Sequence, residues 1–261
     1  MIQEVVLIGA GNLATHLAVA LSEKRFRVQQ VYNRSPQKGK ILAATVGADY
    51  IADPGLISLN ADIYILAITD LAVREVALNI PLTNQLVVHA SGTLDMKILD
   101  GVSDSIGVFY PLQTFSSRGK IDFHDVPVCI EANSKQGEHQ LAEFANRLSA
   151  NVQIVSSSNR KILHLSAVFA SNFTNFMYVI AEQLLNERQI SFDLLKPLIR
   201  QTIQNAAQHD LFNYQTGPAV RGDHPVLDKH REILAAHPGY LDIYNIISAN
   251  IIKYKALHGK L

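Results

Sequence analysis

Near its start the chain runs from Glu4-Val5-Val6-Leu7-Ile8 directly into Gly9-Ala10-Gly11-Asn12-Leu13-Ala14, and no other stretch constrains the fold as much. The first five residues are a short β-branched apolar run, suited to a strand buried on both faces. From residue 13 to 25 the apolar residues Leu13, Leu17, Ala20 and Leu21 recur at helical spacing. The pattern is strand, tight turn, helix. It puts Gly9 where the backbone must turn, Gly11 where backbone must approach a ligand closely, and Ala14 where helix packs against strand. The helix start offers unpaired N–H groups and a partial positive charge, which favour phosphate. A dinucleotide is the ligand this turn predicts, with Gly9, Gly11, Asn12 and Leu13 around its pyrophosphate. A glycine turn without a ligand is the alternative.

A second strand, residues 28–32, ends in Asn33-Arg34-Ser35, with Asn33 lying 24 residues after Gly9. A site for NAD(H) usually carries Asp or Glu about 20 residues on, to bind the ribose 2′-hydroxyl. No carboxylate stands here. Arg34, flanked by Asn33 and Ser35, suits a 2′-phosphate through charge-assisted hydrogen bonds; otherwise it is a solvated loop residue. The reading is NADP(H) over NAD(H).

Strand and helix go on alternating. Helices are expected over 38–46, 70–78 and 135–148, and strands over 48–51, 62–68, 86–89, 105–109, 126–131 and 152–155. This order argues an α/β domain, a Rossmann-like doubly wound and mostly parallel sheet, over residues 1–156. Beyond it only helical patterns remain: one long helix over 159–187, then helices over 191–208, 225–237 and 240–258. Pro197 is tolerable only in a first turn. Asp223 or His224 stands near an N-cap, and Pro238-Gly239 ends the third helix. Residues 157–261 therefore read as a smaller all-α domain, packed closely enough on the first to leave a cleft.

At 261 residues the chain fits one large domain or two moderate ones, and at 48% hydrophobic it can build a sizeable core. Its 23 basic and 23 acidic side chains balance, so it carries no electrostatic footprint for nucleic acid or an anionic membrane. No apolar run reaches the ~18 residues of a membrane span. The first run is short, contains Glu4 and lacks a basic leader, so no signal peptide is expected, and a cytoplasmic protein is. The single cysteine, Cys129, excludes an intrachain disulfide framework and reads as a buried small side chain in a strand.

Ligands of doubly wound sheets bind beyond the carboxyl ends of the strands. Thr69-Asp70, His89-Ala90-Ser91-Gly92-Thr93 and Tyr110-Pro111-Leu112-Gln113-Thr114-Phe115 follow expected strands. Thr69, Asp70, His89 and Ser91 are candidates for the ribose or nicotinamide side, and Gly92 permits close backbone approach. Ser91, Gly92 and Thr93 serve equally well as a cap for a following helix. On the long helix, about 100° per residue puts Ile162, Phe169, Phe173, Phe176 and Ile180 on one face. Lys161, His164, Ser171 and Asn175 fall opposite, with Asn172 at the edge. His, Ser and Asn can exchange hydrogen bonds or deliver a proton, unlike an ordinary Lys/Glu surface; a stripe facing solvent or a subunit partner is the alternative. In Thr216-Gly217-Pro218-Ala219-Val220-Arg221-Gly222-Asp223, Arg221 either binds a substrate anion or clamps the loop with Asp223. No cluster has metal-ligand spacing and no Gly-x-Ser-x-Gly elbow exists, so neither a catalytic metal nor an acyl-enzyme is predicted.

Together the glycine turn, Asn33-Arg34-Ser35, His89-Ala90-Ser91-Gly92, Pro111-Leu112-Gln113-Thr114-Phe115, His164…Ser171-Asn172 and Thr216-Gly217-Pro218…Arg221-Gly222-Asp223 resemble a two-domain family. Its members join a Rossmann-like NADP oxidoreductase domain of the coenzyme F420-dependent type to a helical domain, DUF2520. More distantly the chain is similar to pyrroline-5-carboxylate reductase, ketopantoate reductase and 6-phosphogluconate dehydrogenase. Those relatives imply hydride transfer in the interdomain cleft and helical domains that build dimers. A Lys and Asn four apart, used by hydroxyacid relatives, is missing here, because Leu165 follows Lys161 at that spacing. The resulting expectation is an NADP(H)-dependent oxidoreductase acting on a small polar metabolite. His164 would be its general acid. Ser171 and Asn172 would orient the reacting carbonyl or imine, while Gln113 and Arg221 would bind substrate. A homodimer is expected. The rival is a non-catalytic NADP(H)-responsive binding or scaffold protein, and F420 as hydride partner is a third reading.

Overall fold

The computed structural model describes residues 2–117, 119–208 and 211–258, with the backbone alone at 212 and 213. The chain divides into two compact units, Met1–Asn172 and Phe173–Leu261. The first unit is built on β1 (Glu4–Ile8), β2 (Arg27–Tyr32), β3 (Asp49–Ile51), β4 (Ile63–Leu66), β5 (Leu86–His89), β6 (Ser105–Pro111), β7 (Val128–Ala132) and β8 (Val152–Ile154). They form one sheet in the order β3-β2-β1-β4-β5-β6-β7-β8. The pairings from β3 across to β6 are parallel, β6 and β7 are antiparallel, and β7 and β8 parallel again.

β1 shows why its sequence is apolar from Val5 onward. Val5 and Leu7 face a cluster containing Leu17 and Leu21 of α1 (Asn12–Glu23) and Leu42 of α2 (Pro36–Val46). Val6 and Ile8 face the other side, with Val73 and Ala77 of α3 (Asp70–Leu78). Helices cover both faces, so none of the buried positions Val5 to Ile8 can be polar. The α4 helix (Lys135–Asn146) packs Leu141, Phe144 and Ala145 on the first of these faces. From β1 the chain first builds β2 and β3 on one side, then crosses to β4 on the other. That reversal opens a crevice at the carboxyl ends of β1 and β4.

After β8 the chain enters α5 (Ser157–Ala167), whose N-cap Ser156 accepts from the Asn159 N–H. The expected long helix is helical throughout but not uniformly wound. Val168–Phe173 is a π-helix, and α6 (Thr174–Asn186) resumes α winding. A π turn holds more residues than an α turn, so faces drawn at 100° per residue slip across this stretch. The apolar face drawn that way is largely open, with Ile162 64% and Phe169 61% exposed.

The second unit also contains α7 (Lys196–Ala206), α8 (Pro218–Arg221), α9 (His224–Leu234) and α10 (Pro238–His258). Pro197 lies in the first turn of α7, where its missing N–H costs nothing. Asp223 caps α9 by accepting from the Val226 N–H. Pro238, expected to end a helix, begins α10. Among the described residues of this unit, only Ala219, Val220, Leu227 and Leu234 are buried apolar side chains, while Leu194 and Leu198 are 72% and 64% exposed. No helix among the described residues is long and apolar enough to cross a membrane.

Candidate functional site

A cavity of about 600 Å³ occupies the crevice at the ends of β1 and β4. Gly9 has φ +123°, and a Cβ there would lie 2.2 Å from the Ala67 carbonyl oxygen. Only glycine fits. Gly11 is different: a Cβ would meet nothing within 4 Å, because its α-carbon faces the open cavity. It precedes α1, whose start has no side-chain cap. The first-turn N–H groups are therefore available to an acceptor from outside the protein, as phosphate binding requires. Leu13 lines the same cavity. Asn12 lines it too, but its side-chain amide donates to the Phe115 carbonyl at 3.0 Å and so fastens the loop after β6 to the start of α1.

Asn33, Arg34, Ser35 and Lys38 form another wall. Asn33 is a strut. Its Oδ1 accepts from the Ala10 N–H at 3.1 Å, and its Nδ2 donates to the Ser35 carbonyl at 2.9 Å. The Ser35 hydroxyl makes no capping bond to α2, and Arg34 is exposed. Lys38, in the first turn of α2, adds a second cation that the sequence reading missed. Its signal was its place three residues after Ser35 on the helix that opens there. Glu75 is the only carboxylate among the described residues in this lining.

The other sequence-predicted residues separate. Thr69 lines the cavity, and its hydroxyl makes no cap bond to α3. The Asp70 carboxylate instead accepts from the Thr93 hydroxyl. The Ser91 hydroxyl accepts from the Thr93 and Leu94 N–H groups at 3.0 and 3.1 Å, so it shapes the turn after β5. Of that turn, Ala90 reaches the cavity. His89 is fully buried. Its Nδ1 accepts from the Ser91 N–H at 3.2 Å, and its Nε2 has no partner. Burial, reinforced by the nearby Arg160 charge, pushes its pKa down to about 4, so the imidazole is neutral.

Arg160 was also missed. Its side chain is fully buried and donates to Glu131 Oε2 at 2.7 Å, to the Ser91 carbonyl at 3.2 Å, to Ser157 Oγ at 3.1 Å and to the Leu94 carbonyl. Ser157 in turn donates to Glu131 at 2.6 Å. A buried guanidinium demands such satisfaction. It ties the Ser91–Leu94 turn to α5 and the end of β7. Only the partner Glu131, distant in sequence, identifies it.

A second cavity in the same unit, about 230 Å³, brings His164, Ser171 and Asn172 together with Gln113, and adds Tyr110 and Thr114. The Tyr110 hydroxyl lies 3.0 Å from His164 Nδ1, and Thr114 Oγ1 lies 2.9 Å from Ser171 Oγ. Gln113 Oε1 accepts from the Thr114 N–H at 2.8 Å. No carboxylate, lysine or arginine lines it among the described residues. Burial pushes the Tyr110 phenol up to about 12, helped by the adjacent Cys129 and opposed by Arg160. Cys129 itself is buried and its thiol pKa is raised. Gly92 is required here: a Cβ would fall 2.5 Å from His164 Nδ1. Arg221, in the second unit, is exposed at the end of α8 and makes no ion pair with Asp223. Among the described residues, no three His, Cys, Asp or Glu side chains converge as a metal site.

Comparison with known proteins agrees with this architecture. The family described as a domain of unknown function (DUF2520) matches residues 126–251, and the shikimate/quinate 5-dehydrogenase family matches residues 2–73. The chain is 39% identical to the "putative NADP oxidoreductase BF3122" of Bacteroides fragilis, with a TM-score of 0.90 over 96% of this chain and 98% of that one. Protein TM1727 of Thermotoga maritima is 20% identical, with a TM-score of 0.71 over 95% of this chain and 97% of that one. A reductive aminase of Aspergillus terreus, in complex with NADPH and ethyl-5-oxohexanoate, shares the fold at 12% identity, with a TM-score of 0.72 over 100% of this chain and 96% of that one. No curated protein matches.

Proposed function

This chain belongs to the family of the Bacteroides fragilis "putative NADP oxidoreductase BF3122", and from that premise we propose that it moves a hydride to or from a carbonyl or imine carbon of a small polar metabolite. Its cofactor is NADP(H). The observation that carries the reading is the uncapped start of α1 beside the open Gly11, with Arg34, Ser35 and Lys38 along the same cavity. Pyrophosphate would accept from the first-turn N–H groups at Gly11, Asn12 and Leu13, and the 2′-phosphate from Arg34, Ser35 and Lys38. Thr69 would face the ribose or nicotinamide. Asp70, His89 and Ser91 would act from behind, holding the turn after β5.

When bound, NADPH supplies the hydride. His164 is the proton donor of this reading, and Ser171, Asn172 and Gln113 hold the reacting group by hydrogen bonds. A second-cavity lining without carboxylate, lysine or arginine among the described residues suits a neutral carbonyl or imine at that end of the substrate. Arg221, chosen by its motif, is the candidate anchor for an anionic group elsewhere on it. Two copies would associate through the second unit, where the four buried apolar side chains among the described residues are too few to stabilise a helical domain alone. Sedimentation equilibrium should give a dimer, and a monomer at all concentrations would refute that part. The first test of the whole is a titration with NADPH and, separately, NADH, followed by nicotinamide fluorescence. Saturable binding that favours NADPH is expected. No binding of either would overturn the reading.

A further inference from the structure

We propose that Tyr110, backed by Gly92, is a positioning residue that locks His164 in one orientation and one tautomer, with the exchangeable ring proton on Nε2. The inference rests on the reading of His164 as the proton donor: the neutral ring gives its Nε2 proton to the reacting group as Nδ1 takes the proton of the Tyr110 phenol, and solvent then restores the phenol. It begins from the inventory of donors. A neutral imidazole has one N–H and one bare nitrogen, and the hydrogen bonds around it decide which is which. The Tyr110 hydroxyl stands 3.0 Å from His164 Nδ1. That phenol is buried on β6, where it pairs with Cys129 of β7, and burial keeps it protonated. A phenol can donate or accept, but among the described residues the Tyr110 hydroxyl bonds to Nδ1 alone, and its buried proton finds an acceptor only by donating there. Nδ1 is then the acceptor, and the proton lies on Nε2.

The backbone fixes the ring from the other side. At Gly92 a Cβ would come within 2.5 Å of His164 Nδ1 and 2.8 Å of its Cγ. The imidazole edge therefore rests on bare main chain, a fit that any other residue would destroy. Gly92 belongs to the turn whose Ser91 and Leu94 carbonyls accept from Arg160. Arg160 and His164 are four apart on α5 and so share a face. One helix face thus grips one turn twice, by a guanidinium and by an imidazole. Phenol, glycine and arginine together leave Nε2 as the nitrogen available to a ligand in the cavity.

The test uses the full chain labelled with ¹⁵N-histidine, without cofactor, at mildly alkaline pH. Two-bond proton–nitrogen correlations separate protonated from bare ring nitrogens, and His164→Gln identifies the His164 signals. Wild type should show a single Nε2–H tautomer. Tyr110→Phe, which removes one oxygen atom, should shift it to a mixture with the Nδ1–H form. Gly92→Ala should do the same by pushing the ring off the phenol. A merely structural role for Tyr110 would leave the tautomer alone. An Nδ1–H form in wild type, or an unchanged tautomer in both variants, overturns the inference. If Tyr110→Phe does not fold, the wild-type pattern and Gly92→Ala still decide. NADPH fluorescence on the same samples separates the two levels. Wild type that binds no NADPH overturns the oxidoreductase reading and with it the catalytic sense of the lock, whereas binding with the wrong tautomer overturns the lock alone.

Discussion

Acid should destabilise this protein through His89 before most of its carboxylates titrate. The imidazole is fully buried, with Nδ1 bonded to the Ser91 N–H and Nε2 without a partner, and its pKa falls from 6.5 to about 4. Unfolding returns it to 6.5. Between those values the unfolded chain binds a proton that the folded chain refuses, so stability drops as pH falls. His89's contribution is complete above pH 6.5, declines through the window, and is gone below pH 4. Two and a half pKa units at 1.36 kcal/mol each make about 3 kcal/mol. His89→Asn isolates it, because an amide oxygen can stand in for Nδ1 and does not titrate. The substitution carries its own cost, but that cost is independent of pH. Urea unfolding of both proteins at a series of pH values gives the difference. Wild type should be the more stable by a margin that shrinks by about 3 kcal/mol from pH 7 to pH 4. A margin that stays constant, or an NMR titration of His89 near 6.5, would refute the reasoning.

Three further outcomes are expected. Arg160→Ala should cost about 3–5 kcal/mol in urea unfolding, because Glu131 is left without its buried partner; a loss under about 1 kcal/mol would remove the clamp. Arg34→Ala and Lys38→Ala should each weaken NADPH binding roughly tenfold, the worth of one charge-assisted bond, and leave NADH nearly unchanged; equal losses for both cofactors would sink the 2′-phosphate assignment. His164→Gln should lower turnover of a carbonyl or imine substrate at least ~100-fold with NADPH affinity intact; unchanged turnover would take His164 out of the chemistry.

The sheet and its glycine turn were readable because they rest on local rules. A strand covered on both faces must be apolar at every position, as Val5 to Ile8 are, and a turn at φ +123° must be glycine, as Gly9 is. Pro197 likewise could only open a helix. What escaped depends on partners far apart in the chain. Arg160 looks like any helix-surface arginine until Glu131 and the Ser91 carbonyl stand beside it. Tyr110 reads as opening the segment that follows a strand at the site, but its bond to His164 joins positions 54 residues apart and leaves no local signal. Gly92 was read correctly as a point of close approach, but what approaches it is an imidazole of the same chain. The π-helix has no periodic signature, since the residues of 168–173 fit an α pattern equally well.

That π-helix makes the chain sensitive to length where it is tolerant of composition. Removing one residue between Val168 and Phe173 would let the stretch relax to α winding and turn every later side chain by roughly 100° about the axis. His164, upstream, would keep Tyr110. Ser171 would swing away from Thr114, and Asn172 would leave the cavity with it. The extra residue of the π turn sets the angle at which Ser171 and Asn172 leave the helix and meet the cavity, and no point substitution can reproduce it.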